Sequence, residues 1–346
     1  MDRSDFQFFF AWAAFVLLPF NLFAGGLLAP KLGLADFCIA LVLGLGATIA
    51  LGLPAVLIAH RSGTTFSQSA RTIVRGRWIL LALVLVVPLV NVGWYSIQTA
   101  AAAEALATFV GRAEARAPAA FAFAFLFAAG PLLFGYTWLS RTGALACGVV
   151  VLAFAWVFAT TGMPEFPAEV RRPAQGTVLD GALLVLGTWV FSSTTCVMDL
   201  ARFGRTSLGT AVGFALGLIL ADRGLIALGY AMASQDPERN MLAAFLTATS
   251  LPGLLFLLLA LWSTNDSNVY STLQAFAGLH LPAIPLTLFA TSIAGLAAAV
   301  WGDELFGFVG GWLSAMGWLG IGFGGLWWCV LLRGYPNPAP KVNRRI

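Results

Sequence analysis

Asn91, Trp94 and Gln98 recur at i, i+3 and i+7 within one apolar stretch, so a helix would place all three on a single face. Two amides and an indole along one stripe form a surface that can stack on a flat ring and hydrogen-bond its edge. The competing reading is a packing face between helices, with the amides as polar glue. Trp94 lies too deep in its stretch for an interfacial belt. Trp189 is equally deep in a later stretch, beside Thr188 and the run Ser192-Ser193-Thr194-Thr195. Two deep indoles can sandwich a ring, each face contributing about 1–3 kcal/mol if it behaves as base stacking does.

A second polar cluster, Trp262-Ser263-Thr264-Asn265-Asp266-Ser267-Asn268, interrupts another apolar stretch. An aspartate at the centre of a membrane helix costs roughly 2.5–3.5 kcal/mol, so its neighbours must face protein or water. Adjacent hydroxyls opposite carbonyls freed from a broken helix supply hard oxygen ligands for a small cation. Hydroxyls bonding back to their own helix account for isolated cases, and for a run this dense they account less well. Asp222-Arg223 is a further charged pair within an apolar stretch. Neighbours in sequence point in different directions on a helix, so each needs a partner elsewhere, or Arg223 snorkels.

These residues must be positioned by membrane helices. Of 346 residues, 60% are apolar and 10% charged, with a mean hydropathy of +0.88, more apolar surface than a soluble fold of this size can hide. A helix needs about 20 residues to span the hydrocarbon layer, and ten stretches qualify: 6–29, 36–59, 78–109, 118–139, 143–162, 178–198, 207–232, 251–278, 282–300 and 305–332. The stretches are long and non-alternating, which argues against a β-barrel. The gaps are too short for a soluble domain. The first stretch reads as a mature helix and not a removable leader. The expected fold is therefore an all-α polytopic membrane protein, one domain, with residues 333–346 as a tail.

With the N-terminus inside, Arg3, Arg61, Arg71, Arg75, Arg77, Arg141, Arg202, Arg205, Arg333, Lys341, Arg344 and Arg345 fall on the cytoplasmic side. Lys31, Arg112, Arg116, Arg171, Arg172 and Arg239 fall opposite. That asymmetry places both termini in the cytoplasm. The basic residues are dispersed, which disfavours nucleic acid as a partner. Cys38, Cys147, Cys196 and Cys329 are far apart, suggesting neither disulfides nor a metal centre. His60 and His280, the only histidines, sit at stretch ends. With no HExxH motif and no paired aspartates on neighbouring helices, an intramembrane enzyme is disfavoured; a non-transporting receptor is the other alternative class.

Two halves of nearly equal length, 6–162 and 178–332, suggest an internal repeat, and five helices per half would insert the second half inverted. Each half is interrupted near its start: by Pro19, Asn21 and Gly25-Gly26 in the first, and by the hydroxyl run from Ser192 in the second. Matched interruptions point to a solute site at the midplane of a transporter. A simple proline kink and back-bonded hydroxyls are the alternative.

The motifs resemble a known family. Trp262 to Asn268 followed by Val269-Tyr270 is similar to the eighth-helix signature of the nucleobase-cation symporters, in particular the cytosine carriers. Gly25-Gly26 with Asp36-Phe37 resembles their first helix, Val92-Gly93-Trp94 their third-helix motif, and Asp199-Leu200-Ala201-Arg202-Phe203-Gly204-Arg205 the loop after their sixth. The four follow in the family's order across nearly the whole chain. The resemblance implies a five-plus-five inverted repeat of the leucine-transporter type, with helices 1 and 6 broken. It implies a sodium-coupled symporter of the inner membrane that imports a nucleobase such as cytosine by alternating access. Proton coupling, or a related ring such as allantoin, hydantoin, uracil or a thiamine-precursor pyrimidine, is the alternative.

By the same resemblance Trp94 and Trp189 sandwich the heterocycle, Asn91 and Gln98 read its edge, and Thr188 and Ser192 assist. Sodium is implied at the backbone carbonyls of Leu18, Asn21 and Ala260 and the hydroxyls of Ser263 and Thr264, with no organic cofactor. Three departures stand out, the first being that Trp189 lies one residue farther from Asp199 than its counterpart in the cytosine carriers. Asp222-Arg223 replaces a neutral polar pair, and the usual last two of twelve helices are expected to be absent.

Overall fold

The computed structural model describes residues 3–161, 176–235 and 241–334. Arg171, Arg172, Arg239, Lys341, Arg344 and Arg345, and the expected tail beyond Gly334, lie outside the described residues. Helix follows helix: α1 (Arg3–Val16), α2 (Phe20–Leu28), α3 (Leu34–Ser62), α4 (Phe66–Ile73), α5 (Arg77–Val110), α6 (Arg116–Thr161), α7 (Val178–Thr194), α8 (Cys196–Ala201), α9 (Ser207–Gly217), α10 (Gly224–Gln235), α11 (Met241–Gly278) and α12 (Ala283–Leu332). A π turn, Leu218–Arg223, joins α9 to α10.

Three of these are too long to cross a bilayer straight. At about 1.5 Å per residue, the 46 residues of α6, 38 of α11 and 50 of α12 would far exceed a hydrocarbon layer of about 30 Å. Each is broken by non-helical backbone, at Gly135, Ser250 and Trp301 respectively. The breaks at Ser250 and Trp301 fall where the sequence expects span boundaries. The break in α6 comes earlier than the expected gap between 139 and 143. Ser140-Arg141 supplied the polar cue there, whereas Gly135 takes the left-handed backbone, φ 57°, that makes the turn.

Six helical segments among the described residues are long and apolar enough to cross a membrane, or seven counting α1 and α2 as one bent span. The ten expected stretches are therefore not all visible by length and hydropathy. α7 has only 17 residues because it stops at a break, and α11 is diluted by its polar run. The chain is a multi-pass helical membrane protein. Its outward positions are apolar, with Val42, Trp78, Leu89 and Leu133 among the exposed side chains, while Asn265 and Asp266 are buried.

The first span bends by 54° between α1 and α2. Pro19 has no N–H to give the carbonyl of Phe15. The Leu18 amide turns to the Val16 carbonyl at 2.8 Å, leaving the Ala14 carbonyl without its own donor. Elsewhere the chain fixes helix ends by side chains. Thr65 with Gln68 and Thr177 with Asp180 form capping boxes on α4 and α7. Asp5, fully buried on α1, accepts from the amides of Arg205 and Thr206 at 2.8 and 3.2 Å and so ties α1 to the start of α9. α2 lies directly on α10: a Cβ on Gly25 would overlap the Ile226 carbonyl, and one on Gly229 the Leu22 carbonyl. Such backbone contact is the usual use of small residues between membrane helices.

Candidate functional site

The break in the first span leaves two buried carbonyls, and α11 answers them. Ser263 Oγ donates to the Ala14 carbonyl at 3.0 Å and lies equally close to the Ala260 carbonyl. Thr264 Oγ1 stands 3.0 Å from the carbonyls of both Phe15 and Ala260. Each hydroxyl has one proton for two acceptors. Ala260 already lies inside α11, where the helix's own amide serves its carbonyl, so the hydroxyl protons chiefly satisfy α1.

Five neutral oxygens thus gather between α1 and α11: three carbonyls and two hydroxyls. Each hydroxyl oxygen stands 3.0 Å from two of the carbonyl oxygens. Of the residues expected there, the structure brings together Ala260, Ser263 and Thr264. The Leu18 carbonyl is engaged elsewhere. The Leu18 carbonyl accepts from the Asn21 amide at 2.9 Å, inside the first turn of α2. The oxygens facing Ser263 and Thr264 come instead from Ala14 and Phe15, one turn earlier. The displacement follows from the side of the break that is left open. Pro19 removes the donor for residue 15, upstream of itself, whereas the residues after it are already helical.

The Asn21 side chain has a different position. Its Nδ2 donates to the Val16 carbonyl at 3.0 Å, capping the end of α1, and its Oδ1 accepts from Trp189 Nε1 at 3.2 Å. Trp189 also meets the Phe15 ring edge-on at 5.1 Å and the Trp12 ring at 6.2 Å. Trp94 meets Phe20 edge-on at 6.4 Å and Trp312 of α12 at the same distance. The two indoles therefore lean on opposite sides of one helix break.

Asn91, Trp94 and Gln98 all lie on the buried face of α5. Asn91 Nδ2 donates to the Asn268 carbonyl at 3.1 Å and to Thr272 Oγ1 at 3.2 Å, while its Oδ1 accepts from Cys196 Sγ at 3.8 Å. A small cavity adjoins it, lined by Asn91, Tyr95, Asn268, Thr272 and Thr291. Gln98 Oε1 is buried with no hydrogen-bond partner, and so is Trp312 Nε1. A buried polar atom left unpaired costs free energy comparable to a lost hydrogen bond. One unpaired acceptor lies on the helix that carries Trp94 and one unpaired donor on the indole packed against it.

The second interruption also has an accounting. α7 ends at Thr194, Thr195 leaves helical geometry at φ −128°, ψ −77°, and α8 starts at Cys196. The Thr194 and Thr195 hydroxyls do bond back, to Val190 and Phe191 carbonyls, yet the helix breaks all the same. Trp327 Nε1 of α12 caps the Thr194 carbonyl at 2.6 Å. Ser192 and Thr188 are both buried, with Thr188 donating to the Val185 carbonyl at 2.7 Å.

Sequence reasoning missed Ala14, Phe15, Cys196, Thr272 and Trp312. The signal for Phe15 was present, because a proline four residues on identifies the carbonyl it frees. Trp312 and Thr272 carried no local signal, since only tertiary packing brings them to α5. Asp266 is held by Trp138 Nε1 at 2.7 Å, a partner from α6 that no spacing rule relates to it.

No family model matches the chain. The cytosine permease of Escherichia coli strain K12 is 28% identical over 328 aligned residues, covering 87% of this chain and 72% of the permease. That of E. coli O157:H7 is 28% identical over the same shares. Among solved structures, Mhp1, a nucleobase-cation-symport-1 family transporter in a closed conformation with bromovinylhydantoin bound, aligns with a TM-score of 0.64 at 18% identity, covering 93% of this chain and 74% of that one. Mhp1 in its inward-facing conformation gives a TM-score of 0.68 at 17% identity over 92% and 75%. A manganese transporter of Eremococcus coleocola shares the fold at a TM-score of 0.60 and 13% identity, over 94% and 76%. Motifs, aligned sequence and fold lead to the same group: over most of its length the chain is similar to the nucleobase-cation symporters, cytosine permeases among them.

Proposed function

We propose that the protein is a secondary transporter that imports a planar nucleobase or related amide ring, cytosine in the first instance, by alternating access with sodium as the coupling ion. Ten spans in two inverted five-helix repeats, 6–162 and 178–332, would sit in the inner membrane with both termini cytoplasmic. No organic cofactor is needed. The observation that carries the substrate reading is the unpaired Gln98 Oε1 on the same buried face as Trp94. A ring stacked on the indole would supply the missing donor, with Asn91, Thr188 and Ser192 around it and Trp189 on its other face. The names of the similar proteins, a cytosine permease and a hydantoin-bound symporter, support this class of cargo.

The coupling ion is read from the five oxygens of Ala14, Phe15, Ala260, Ser263 and Thr264. All are neutral, which suits a univalent ion bound weakly enough to be released; a divalent ion favours carboxylates. An ion there would take over from two hydroxyl protons in holding α1 to α11. Phe15 also lays its ring on Trp189, so ion and ring would bear on the same residue. Such coupling is reciprocal, each ligand tightening the other by the same factor.

Cytosine is titrated into detergent-solubilised protein in sodium and in potassium, followed by uptake into proteoliposomes. Tighter binding in sodium, with sodium-dependent counterflow, is expected. Affinity equal in the two salts would remove the ion reading. Proton coupling is the second reading, favoured by the buried Asp266, whose Oδ1 has no hydrogen-bond partner. Uptake driven by a pH gradient without sodium would establish it. Binding without counterflow would mark a receptor instead.

A further inference from the structure

Asp222 and Arg223 are both buried, in the π turn of an otherwise apolar span. In place of finding separate partners or snorkelling, they pair with each other at 2.7 Å. The guanidinium also reaches out of that span through Nη1, the atom nearest Asp222, and through Nη2, while its Nε and both Asp222 oxygens make no hydrogen bond. Arg223 Nη1 donates to the Val185 carbonyl at 3.1 Å and to Thr188 Oγ1 at 3.3 Å, while Nη2 donates to Thr48 Oγ1 at 3.1 Å. Both hydroxyls have committed their own protons, Thr188 to Val185 and Thr48 to the Gly44 carbonyl, each at 2.7 Å. Only their lone pairs face the arginine, so neither can rotate without losing a bond.

The cation thus joins α3 to the turn of α7 just before Trp189. Those two helices meet over glycine. A Cβ on Gly44 would stand 2.5 Å from a Val185 methyl, and one on Gly52 2.7 Å from the Ser193 carbonyl. Smooth contacts of this kind allow close approach and supply little to fix register. We infer that Arg223, neutralised by Asp222, is a positioning residue. It pins α7 to α3 in one register, sets the Trp189 indole, and so governs affinity for the carried ring. This rests on the reading that Trp189 contacts that ring. A buried ion pair is weak as a source of stability, since well-packed apolar replacements are often neutral, but removing one partner alone leaves an uncompensated charge.

Arg223→Met alone is therefore expected not to yield folded protein, whereas Asp222→Leu with Arg223→Met is expected to unfold as the wild type does. The double variant should bind cytosine about tenfold more weakly, the order expected when a residue acts through its neighbours. Its ligand-free Trp189 emission, taken as the difference from a Trp189→Phe companion, should also shift. Wild-type cytosine affinity in a double variant of wild-type stability would overturn the inference. Thr48→Val provides a route that leaves the charges alone. It should weaken cytosine binding and shift the Trp189 emission, and unchanged affinity and emission would again overturn the pin. If the wild type binds none of the rings, the transport reading fails, and the emission comparison still decides whether Arg223 positions Trp189.

Discussion

Thr264→Ala tests the account of the broken first span. Its hydroxyl is 3.0 Å from the Phe15 carbonyl, which Pro19 deprives of a backbone donor, and Phe15 is 1% exposed. Removing the hydroxyl leaves that carbonyl buried and unpaired, at a cost of about 1–3 kcal/mol. Pro19→Ala changes the reference, because an amide at 19 can close onto residue 15 once the break rewinds by a turn. The same Thr264→Ala change should then cost less than about 1 kcal/mol, so the double-mutant cycle should show a coupling of about 1–2 kcal/mol. Apparent unfolding free energies in mixed-detergent titrations give all four corners of the cycle.

Sodium affinity should behave differently from stability. Thr264→Ala removes one of the five oxygens, so sodium should bind more weakly by about 1–3 kcal/mol, roughly 5- to 150-fold. Rewinding the helix with Pro19→Ala should not restore it, since closing the break occupies the very carbonyl the ion would use. Cytosine binding measured without sodium should be little changed by Thr264→Ala alone. Strictly additive stability effects would refute the claim that Pro19 creates the orphan. An equal loss of sodium affinity and of sodium-free cytosine affinity would refute the assignment of Thr264 to the ion and not to the ring.

Trp94→Ala should remove one stacking face and weaken ring binding by about 1–3 kcal/mol, with the protein still extractable and monodisperse; wild-type affinity by titration would dismiss the sandwich. Gln98→Leu replaces a buried amide whose Oε1 is unpaired with an apolar side chain of similar size. It should therefore leave thermal stability unchanged or raise it, yet weaken cytosine binding, and a loss of stability would mean that Gln98 is paired within the protein. Gly229→Ala drives a methyl into the Leu22 carbonyl and should cost about 1–3 kcal/mol, read as a fall in unfolding temperature; no fall would mean that α2 and α10 are not in backbone contact.

What the sequence made legible were the places where composition conflicts with the bilayer. Hydroxyls, amides and a carboxylate within apolar stretches are costly enough to require a reason, and Asn91, Trp94, Gln98, Ser263 and Thr264 all prove buried on helix faces. Pro19 was legible as an interruption; the Leu18 and Asn21 carbonyls implied by the resemblance lie after those of Ala14 and Phe15 that α11 meets, because the acceptor a proline frees lies upstream of it. Span counting by hydropathy overlooks how breaks redistribute length: α7 is short because Thr195 ends it, and the turn in α6 falls at Gly135, whose left-handed backbone has no hydropathic signature. Partners from distant helices, such as Trp138 for Asp266 or Trp312 for Trp94, were out of reach, since their pairing is decided by packing.

Phe15 shows why the two clusters are better regarded as one device. Its carbonyl is available to α11 only because a proline follows at the fourth position, and its ring, 5.1 Å from the Trp189 ring, faces the other interrupted span. Asn21 completes the link, capping Val16 at one end and accepting from Trp189 at the other. Straightening the first span would withdraw the carbonyl from the ion cluster and move the ring away from the indole in the same step. An ion that favours the bent form must then favour the indole's present position, and a ring that favours that position must favour the ion. The coupling so argued needs no wire of intermediate residues, only one helix break that both ligands bias.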